Sequence, residues 1–237
     1  MTGWLQKQWL SYTPWHTLLL PISLVFFIIS SIRKWLYHNG WLKSYRLAVP
    51  VLVVGNINVG GSGKTPLVIW LAKQLQIAGY RPGIISRGYG GSGSEVLAVF
   101  SHSDPQQVGD EPLLLARRTG CPVFVGVDRT AAGQALLEAH TECNIIISDD
   151  GLQHYRLRRD VEIAVVDGIV GFGNGALLPA GPLRESVGRL THVDAVVVNG
   201  RCELSNIQAL KPIEMQLQAT NFYNLSLIHI SEPTRPY

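Results

Sequence analysis

The chain has 237 residues, an apolar fraction of 46% and three cysteines, Cys121, Cys143 and Cys202, at spacings that suit no metal site; this is enough for one large domain, or one domain with an appendage, around a packed core. The net charge of +3 conceals an asymmetry: residues 1–94 carry nine Lys and Arg and no acid, whereas residues 95–237 carry eleven against seventeen Asp and Glu. A basic N-terminal third calls for an anionic neighbour; no nucleic-acid motif follows, so nucleic acid is set aside in favour of an anionic membrane surface.

The first element in chain order is apolar. Residues Pro14 to Ile32 include no charge, and as a helix those 19 residues span ~28 Å, close to the ~30 Å of a bilayer core. Trp4, Trp9, Trp15, Trp35 and Trp41 cluster around the segment, and Arg33, Lys34, Lys43 and Arg46 follow it while only Lys7 precedes it. Indole rings favour the headgroup level and basic flanks favour the cytoplasmic side. The segment reads as a membrane anchor over residues 1–46, spanning or lying in the interface, with everything after it cytoplasmic. No small-residue cleavage site follows, which argues against a signal peptide, and a buried core helix is the remaining alternative. The cysteines read as reduced, small buried hydrophobes.

Beyond the anchor, β-branched runs alternate with amphipathic segments. "LAVPVLVVGN", "RPGIISRG", "CPVFVGV", "CNIIISDDG", "VEIAVVDG" and "DAVVVNG" read as strands. "PLVIWLAKQLQIAG", "DEPLLLARRTG" and "DRTAAGQALLEAH" read as helices. That alternation predicts an α/β fold, a doubly wound and mostly parallel sheet, over residues 47–224. The phosphate-type loop, the Asp pair and "VDG" all fall at strand ends, where such sheets gather ligands. The tail, 225–237, continues no element.

"GNINVGGSGKTP" carries the chemistry. Aligned on Gly63, Lys64 and Thr65, it matches the G-x-x-x-x-G-K-[ST] loop except that Asn58 stands at the first glycine. Asn58, Val59, Gly60, Gly61, Ser62, Gly63, Lys64 and Thr65 would cradle the phosphates of ATP, because glycines let backbone N–H groups approach and the following helix points its positive end there. Lys64 would reach the β- and γ-phosphates and Thr65 would take Mg2+. "NIIISDD" has the form of the strand whose acid serves that cation, so Asp149 and Asp150 are the other metal candidates; neighbours on a strand face opposite ways, so the two divide roles. "DDG" alone is also a good turn. Asp110, ahead of a helix, suits a catalytic base or an N-cap. His154, Arg184 and Glu185 are ambiguous from spacing alone.

Taken in order, "GNINVGGSGKTP", "ISRGYGG", "VGDEP", "VGVDR", "SDDGLQH" and "LLPAGPLRE" resemble the tetraacyldisaccharide 4′-kinase family, from about Trp15 to Arg201. The resemblance implies a P-loop kinase at the cytoplasmic face of the bacterial inner membrane. It would transfer the γ-phosphate of ATP to the 4′-hydroxyl of an acylated glucosamine disaccharide 1-phosphate. It implies Asp110 as base, Asp149 and Asp150 at the metal site, and Gln153, His154, Arg184 and Glu185 in the active site. It also implies a smaller C-terminal lobe, which this chain would not reach. The rival is a membrane-associated ATPase switch of the Min/Par type; Val59 stands where that class carries its second lysine.

Overall fold

The computed structural model describes residues 8–9, 14–88, 95–201, 205–217, 222–223 and 230–231. Helix α1 (Pro14–His38) is followed by β1 (Val51–Gly55), α2 (Lys64–Ile77), β2 (Pro82–Ser86) and β3 (Leu97–Val99). Then come α3 (Pro105–Val108), α4 (Asp110–Thr119), β4 (Val123–Val125), α5 (Arg129–Ala139), β5 (Ile145–Asp149), β6 (Val161–Asp167), β7 (Ala195–Asn199) and β8 (Ile213–Met215). Two 3-10 turns, Val187–His192 and Ser205–Leu210, flank β7.

The eight strands form one sheet in the order β3-β4-β2-β5-β1-β6-β7-β8. All neighbours are parallel except β3, which runs antiparallel on the edge beside β4. The chain leaves β1 toward β2 on one side and later returns to β6 on the other, so β1 sits at the reversal of strand order. Its carboxyl end is therefore the crevice where such sheets bind ligands. Two cores form, one on each face. Val68, Ala72 and Leu113 of α2 and α4 pack with Val54 and Ile147 on one face. Ala132 and Leu136 of α5, with Leu190 and Ile207, pack with Val53 and Ile146 on the other.

Local chemistry accounts for the element ends. Asp128 caps α5 by accepting from the Thr130 amide at 2.9 Å, as the Asp/Thr start predicts. Gly120, at φ 65, closes α4. Gly133 admits Leu47: a Cβ there would lie 2.5 Å from a Leu47 methyl carbon. Leu47 is 6% exposed, so the residues just before β1 are core rather than strand. Cys121 and Cys143 are buried free thiols; Cys202 lies outside the described residues.

Helix α1 runs six residues past the uncharged stretch and takes in Arg33 and Lys34. Among its less exposed positions, His16, Leu19, Ser23, Phe26, Ser30, Lys34 and Tyr37 recur every three or four residues and form one stripe; Ser31 and Leu36 are also partly covered. That stripe packs on the domain. The Ser23 hydroxyl donates to the Leu177 carbonyl at 2.9 Å and accepts from the Ala180 amide at 3.0 Å. The opposite face leaves Leu18 (67%), Ile22 (55%) and Ile29 (62%) exposed. By length and composition alone, residues His16–His38 suffice to cross a membrane. The tryptophans divide: Trp35 and Trp41 are exposed and stack at 6.5 Å, whereas the Trp9 indole donates to the Pro179 carbonyl at 3.0 Å. Trp9 is thus tied to the domain. Trp4 and the Trp15 side chain lie outside the described residues, as does residue 225 onward apart from Ile230–Ser231, which pair with Phe222–Tyr223.

Ser23→Val keeps the helix and leaves the Ala180 amide without its acceptor, while the Leu177 carbonyl keeps the Gly181 amide, so it should destabilise the protein by about 1–3 kcal/mol. Ser30, whose hydroxyl bonds only the Phe27 carbonyl of its own helix, should tolerate alanine within about 0.5 kcal/mol. Urea unfolding of both variants measures the difference.

Candidate functional site

The loop after β1 is held from two sides. Asn56 donates to the Gly60 carbonyl at 3.3 Å. The Asn58 carboxamide donates to the Gly171 carbonyl at 2.6 Å, and the Val59 amide to the Pro182 carbonyl at 2.8 Å. So Asn58, at the first-glycine position, braces the loop against the 168–185 segment in this structure. Asp167 shapes the start of that segment: its carboxylate accepts from the amides of Ile169 and Val170 at 2.8 and 2.9 Å. "VDG" therefore builds the turn that reaches the loop.

Gly60 and Gly63 have φ of 116° and 90°, where a side chain would be strained. Gly63 caps α2, and the first backbone bond of that helix runs from the Leu67 amide to Gly63. The amides of Lys64 and Thr65 thus lie before the helical ladder, facing whatever sits at the helix N-terminus. Pro66 in the first turn lacks an N–H that would have had no helical partner.

The Asp pair is split by the backbone. Asp149 ends β5, is 1% exposed, and neither carboxylate oxygen has a hydrogen-bond partner among the described residues. Burial, reinforced by Glu111 in the first turn of α4, pushes its carboxyl up to about 7. Asp150 turns away at φ 49°. Arg184 donates to its two oxygens at 3.0 and 3.2 Å, and Lys64 stands 3.7 Å away. Burial opposes ionisation of Asp150, but Lys64 and Arg184 outweigh it and hold the carboxyl below its usual range. Among the described residues no three His, Cys, Asp or Glu side chains could hold a metal by themselves. Mg2+ commonly takes one or two carboxylates and completes its shell with phosphate and water, so the orphaned oxygens of Asp149 and the hydroxyl of Thr65 fit that cation.

A polar network supports Asp150 and Arg184. Gln153 donates to Glu185 at 2.9 Å and to the Asn56 carbonyl at 3.0 Å. Tyr155 donates to Glu185 at 2.6 Å, and Arg189 stands 3.5 Å from the same carboxylate. Arg189 and Arg159 both bond Glu162, at 2.6 and 2.8 Å, and Arg159 also donates to the carbonyls of Leu152 and His154. Glu185 thus orients Gln153 and Tyr155 rather than lying free on the surface. His154 sits 3.8 Å from Asp128, but burial and then Arg129 push it down to about 4, so the imidazole is neutral at pH 7. Asp110 is the first residue of α4 and exposed; the cap position ahead of it belongs to Gly109.

A cleft of about 940 Å³ opens beside these residues. Phe26, Phe27 and Ile29 of α1 line it, together with Asp150, Arg184 and Glu185. Arg87 and Arg129 line it too; sequence reasoning did not single them out, although both stand in quoted motifs, "ISRGYGG" and "VGVDR".

A phosphate-binding loop at the switch point of a mostly parallel sheet, beside a buried strand-end acid, defines a P-loop protein of the nucleoside-triphosphatase fold. Residues 15–233 match the family model described as tetraacyldisaccharide-1-P 4′-kinase, and the chain belongs to that family. The tetraacyldisaccharide 4′-kinase of Methylobacillus flagellatus is 57% identical over 83% of this chain and 59% of its own length. That of Azoarcus sp. is 56% identical over 91% of this chain and 63% of its own. The chain therefore spans about 60% of the length of these curated relatives. The crystal structure of LpxK from Aquifex aeolicus in complex with ATP matches with a TM-score of 0.71 at 37% identity, over 77% of this chain and 58% of that one.

The raised Asp149 carboxyl makes a stability prediction with a definite sign. Between the usual carboxylate value of 3.8 and about 7 the folded state binds more protons than the unfolded one, so stability falls as pH rises. In metal-free buffer Asp149→Asn should flatten that fall and raise the melting temperature at pH 8 by about 2–5 °C. Thermal scans from pH 4 to 8 check it.

Proposed function

We propose that the protein transfers the γ-phosphate of ATP to the 4′-hydroxyl of tetraacyldisaccharide 1-phosphate at the cytoplasmic face of the bacterial inner membrane. The observation that carries this reading is the cleft, which joins the apolar wall of α1 to Asp150 and Arg184 beside Lys64. An acylated sugar needs such a site: an apolar side for its chains and a polar floor where its hydroxyl meets the phosphate.

In this reading the amides of residues 60–65 and the Lys64 ammonium hold the β- and γ-phosphates. Thr65 and Asp149 would hold Mg2+, whose charge would offset that of the phosphates. When ATP arrives, Lys64 exchanges Asp150 for phosphate, and Arg184 keeps Asp150 oriented toward the acceptor. Asp110 takes the proton of the 4′-hydroxyl as its oxygen bonds the γ-phosphorus and the bond to ADP breaks. What supports Asp110 in this role is its place at the start of α4 beside Glu111, whose charge acts on Asp149. Neutral His154 and the Gln153–Glu185 pair line the acceptor side as hydrogen-bonding groups.

Helix α1 supplies the membrane contact. Its less exposed stripe is docked along the domain and its apolar face is free, with Arg33 and Lys43 nearby for anionic headgroups. A helix held sideways in this manner lies in the interface rather than crossing the bilayer. Ile22→Asp with Ile29→Asp should abolish co-sedimentation with phosphatidylglycerol vesicles while leaving the circular dichroism spectrum unchanged. Persistent vesicle binding by that variant would sink the interfacial reading.

Transfer itself is tested with γ-labelled ATP and tetraacyldisaccharide 1-phosphate, with the full-length Methylobacillus flagellatus relative assayed in parallel. Label is expected on the 4′-oxygen of the lipid. Asp110→Ala should bind ATP normally and lose transfer by about 100-fold or more. Label released only as inorganic phosphate, with none on lipid in either protein, would reject the kinase reading.

A further inference from the structure

A cluster of charges next to the cleft has no part in the transfer step as read above. At its centre is Glu162, the second residue of β6. Its backbone is fixed in the sheet beside Val53 of β1, and its amide donates to the Asp194 carboxylate at 2.7 Å. Each oxygen of the Glu162 carboxylate has its own arginine: Arg159 at 2.8 Å on one, Arg189 at 2.6 Å on the other. The side chains of Glu162 and Arg159 are each 12% exposed, and that of Arg189 is 5% exposed. Burial opposes ionisation of Glu162, but the two arginines outweigh it and hold its carboxyl below the usual range.

Each arginine then holds one of two segments that carry site residues. Arg159 closes the loop after β5. It donates to the carbonyls of Leu152 and His154 at 2.9 and 2.6 Å, reaches the Leu157 carbonyl at 3.2 Å, and lies over the Tyr155 ring. That loop carries Gln153 and His154. Arg189 lies in the 3-10 turn just after Glu185. It donates to the His192 carbonyl at 3.2 Å, and its Nε stands 3.5 Å from the Glu185 carboxylate. The two segments meet at Glu185, which accepts from Gln153 at 2.9 Å and from Tyr155 at 2.6 Å. Gln153, Tyr155, Glu185 and Arg189 line the cleft, whereas Arg159 and Glu162 do not.

We infer that Glu162 and Arg159 are positioning residues: with Arg189 they form a buried clamp that fixes Gln153 and Glu185 relative to each other from outside the cleft. The inference rests on the acceptor reading above, since these are the groups placed on the acceptor side. Packing alone does not call for such a clamp. Apolar side chains of similar volume would fill the space without the desolvation cost of three buried charges. What the ionic arrangement adds is direction. A guanidinium has donors in a planar fork, so Arg159 can hold a carboxylate and loop carbonyls at once, which an ammonium cannot. Glu162 sits on a strand, so both segments are referred to the rigid sheet rather than to one another's loops.

The test uses titration calorimetry in detergent micelles, with ATP and with tetraacyldisaccharide 1-phosphate as separate ligands, on two variants that leave every cleft-lining side chain in place. Glu162→Gln keeps the shape and removes the charge. Arg159→Lys keeps the charge beside Glu162 and gives up the fork to the loop carbonyls. Each should weaken lipid binding by about tenfold while ATP affinity stays within about twofold, because the phosphate loop hangs on other contacts. Arg159→Lys decides the matter if Glu162→Gln does not fold. Lipid affinity unchanged in the folded variants overturns the clamp. Equal losses of lipid and ATP affinity also overturn it, since they would mark a general loss of fold. Failure of the unaltered protein to bind the lipid overturns the acceptor reading, and the positioning role with it.

Discussion

The Asp150 carboxylate is the point at which the site is joined. It stands in a left-handed turn just past β5 and meets Lys64 from the loop after β1 and Arg184 from the segment after β6. Three stretches far apart in sequence converge on one anion. Because both partners are cations, Asp150 stays ionised despite its burial, and each cation is held where a phosphate could replace the carboxylate. The neighbouring Asp149 has the opposite environment: buried, beside Glu111, with no partner for either oxygen. One backbone turn therefore produces two carboxylates of different character from adjacent residues.

The same logic of unequal environments governs α1. A uniformly apolar helix would have no preferred rotation against the domain. Ser23 supplies one, because its hydroxyl donates to the Leu177 carbonyl and accepts from the Ala180 amide, which would otherwise be buried without an acceptor. Fixing that face leaves the Leu18–Ile22–Ile29 side uncovered and places Phe26 and Phe27 along the cleft. The segment from 168 to 185 is thus central to the molecule: it braces the phosphate loop through Asn58 and Val59, receives α1 through Ser23, and carries Arg184.

Much of the fold was legible in the strand and helix patterns, and six of the strands fall where β-branched runs end in Gly, Asn or Asp. The edge strands β3 and β8 were not, because each is three residues long and half exposed, too short for a periodicity to show. Of the site, the loop, the Asp pair and the family motifs were readable as local patterns. The loads on Tyr155, Glu162 and Arg189 were not, since Tyr155 meets Glu185 thirty residues on and Glu162 meets Arg189 twenty-seven residues on. Nothing in the local pattern marked Arg129, because its burial depends on packing.

The sequence by itself determined the alternation that builds a parallel sheet, the glycines that shape the phosphate loop and the apolar N-terminal helix, because these depend on spacing and backbone freedom alone. Only the tertiary structure decided that Asn58 braces the loop, that Asp149 and Asp150 differ in charge preference, that α1 lies along the domain and that five arginines line one cleft. Those outcomes depend on burial and on which charge stands opposite which, and these quantities come into being only when distant segments pack together.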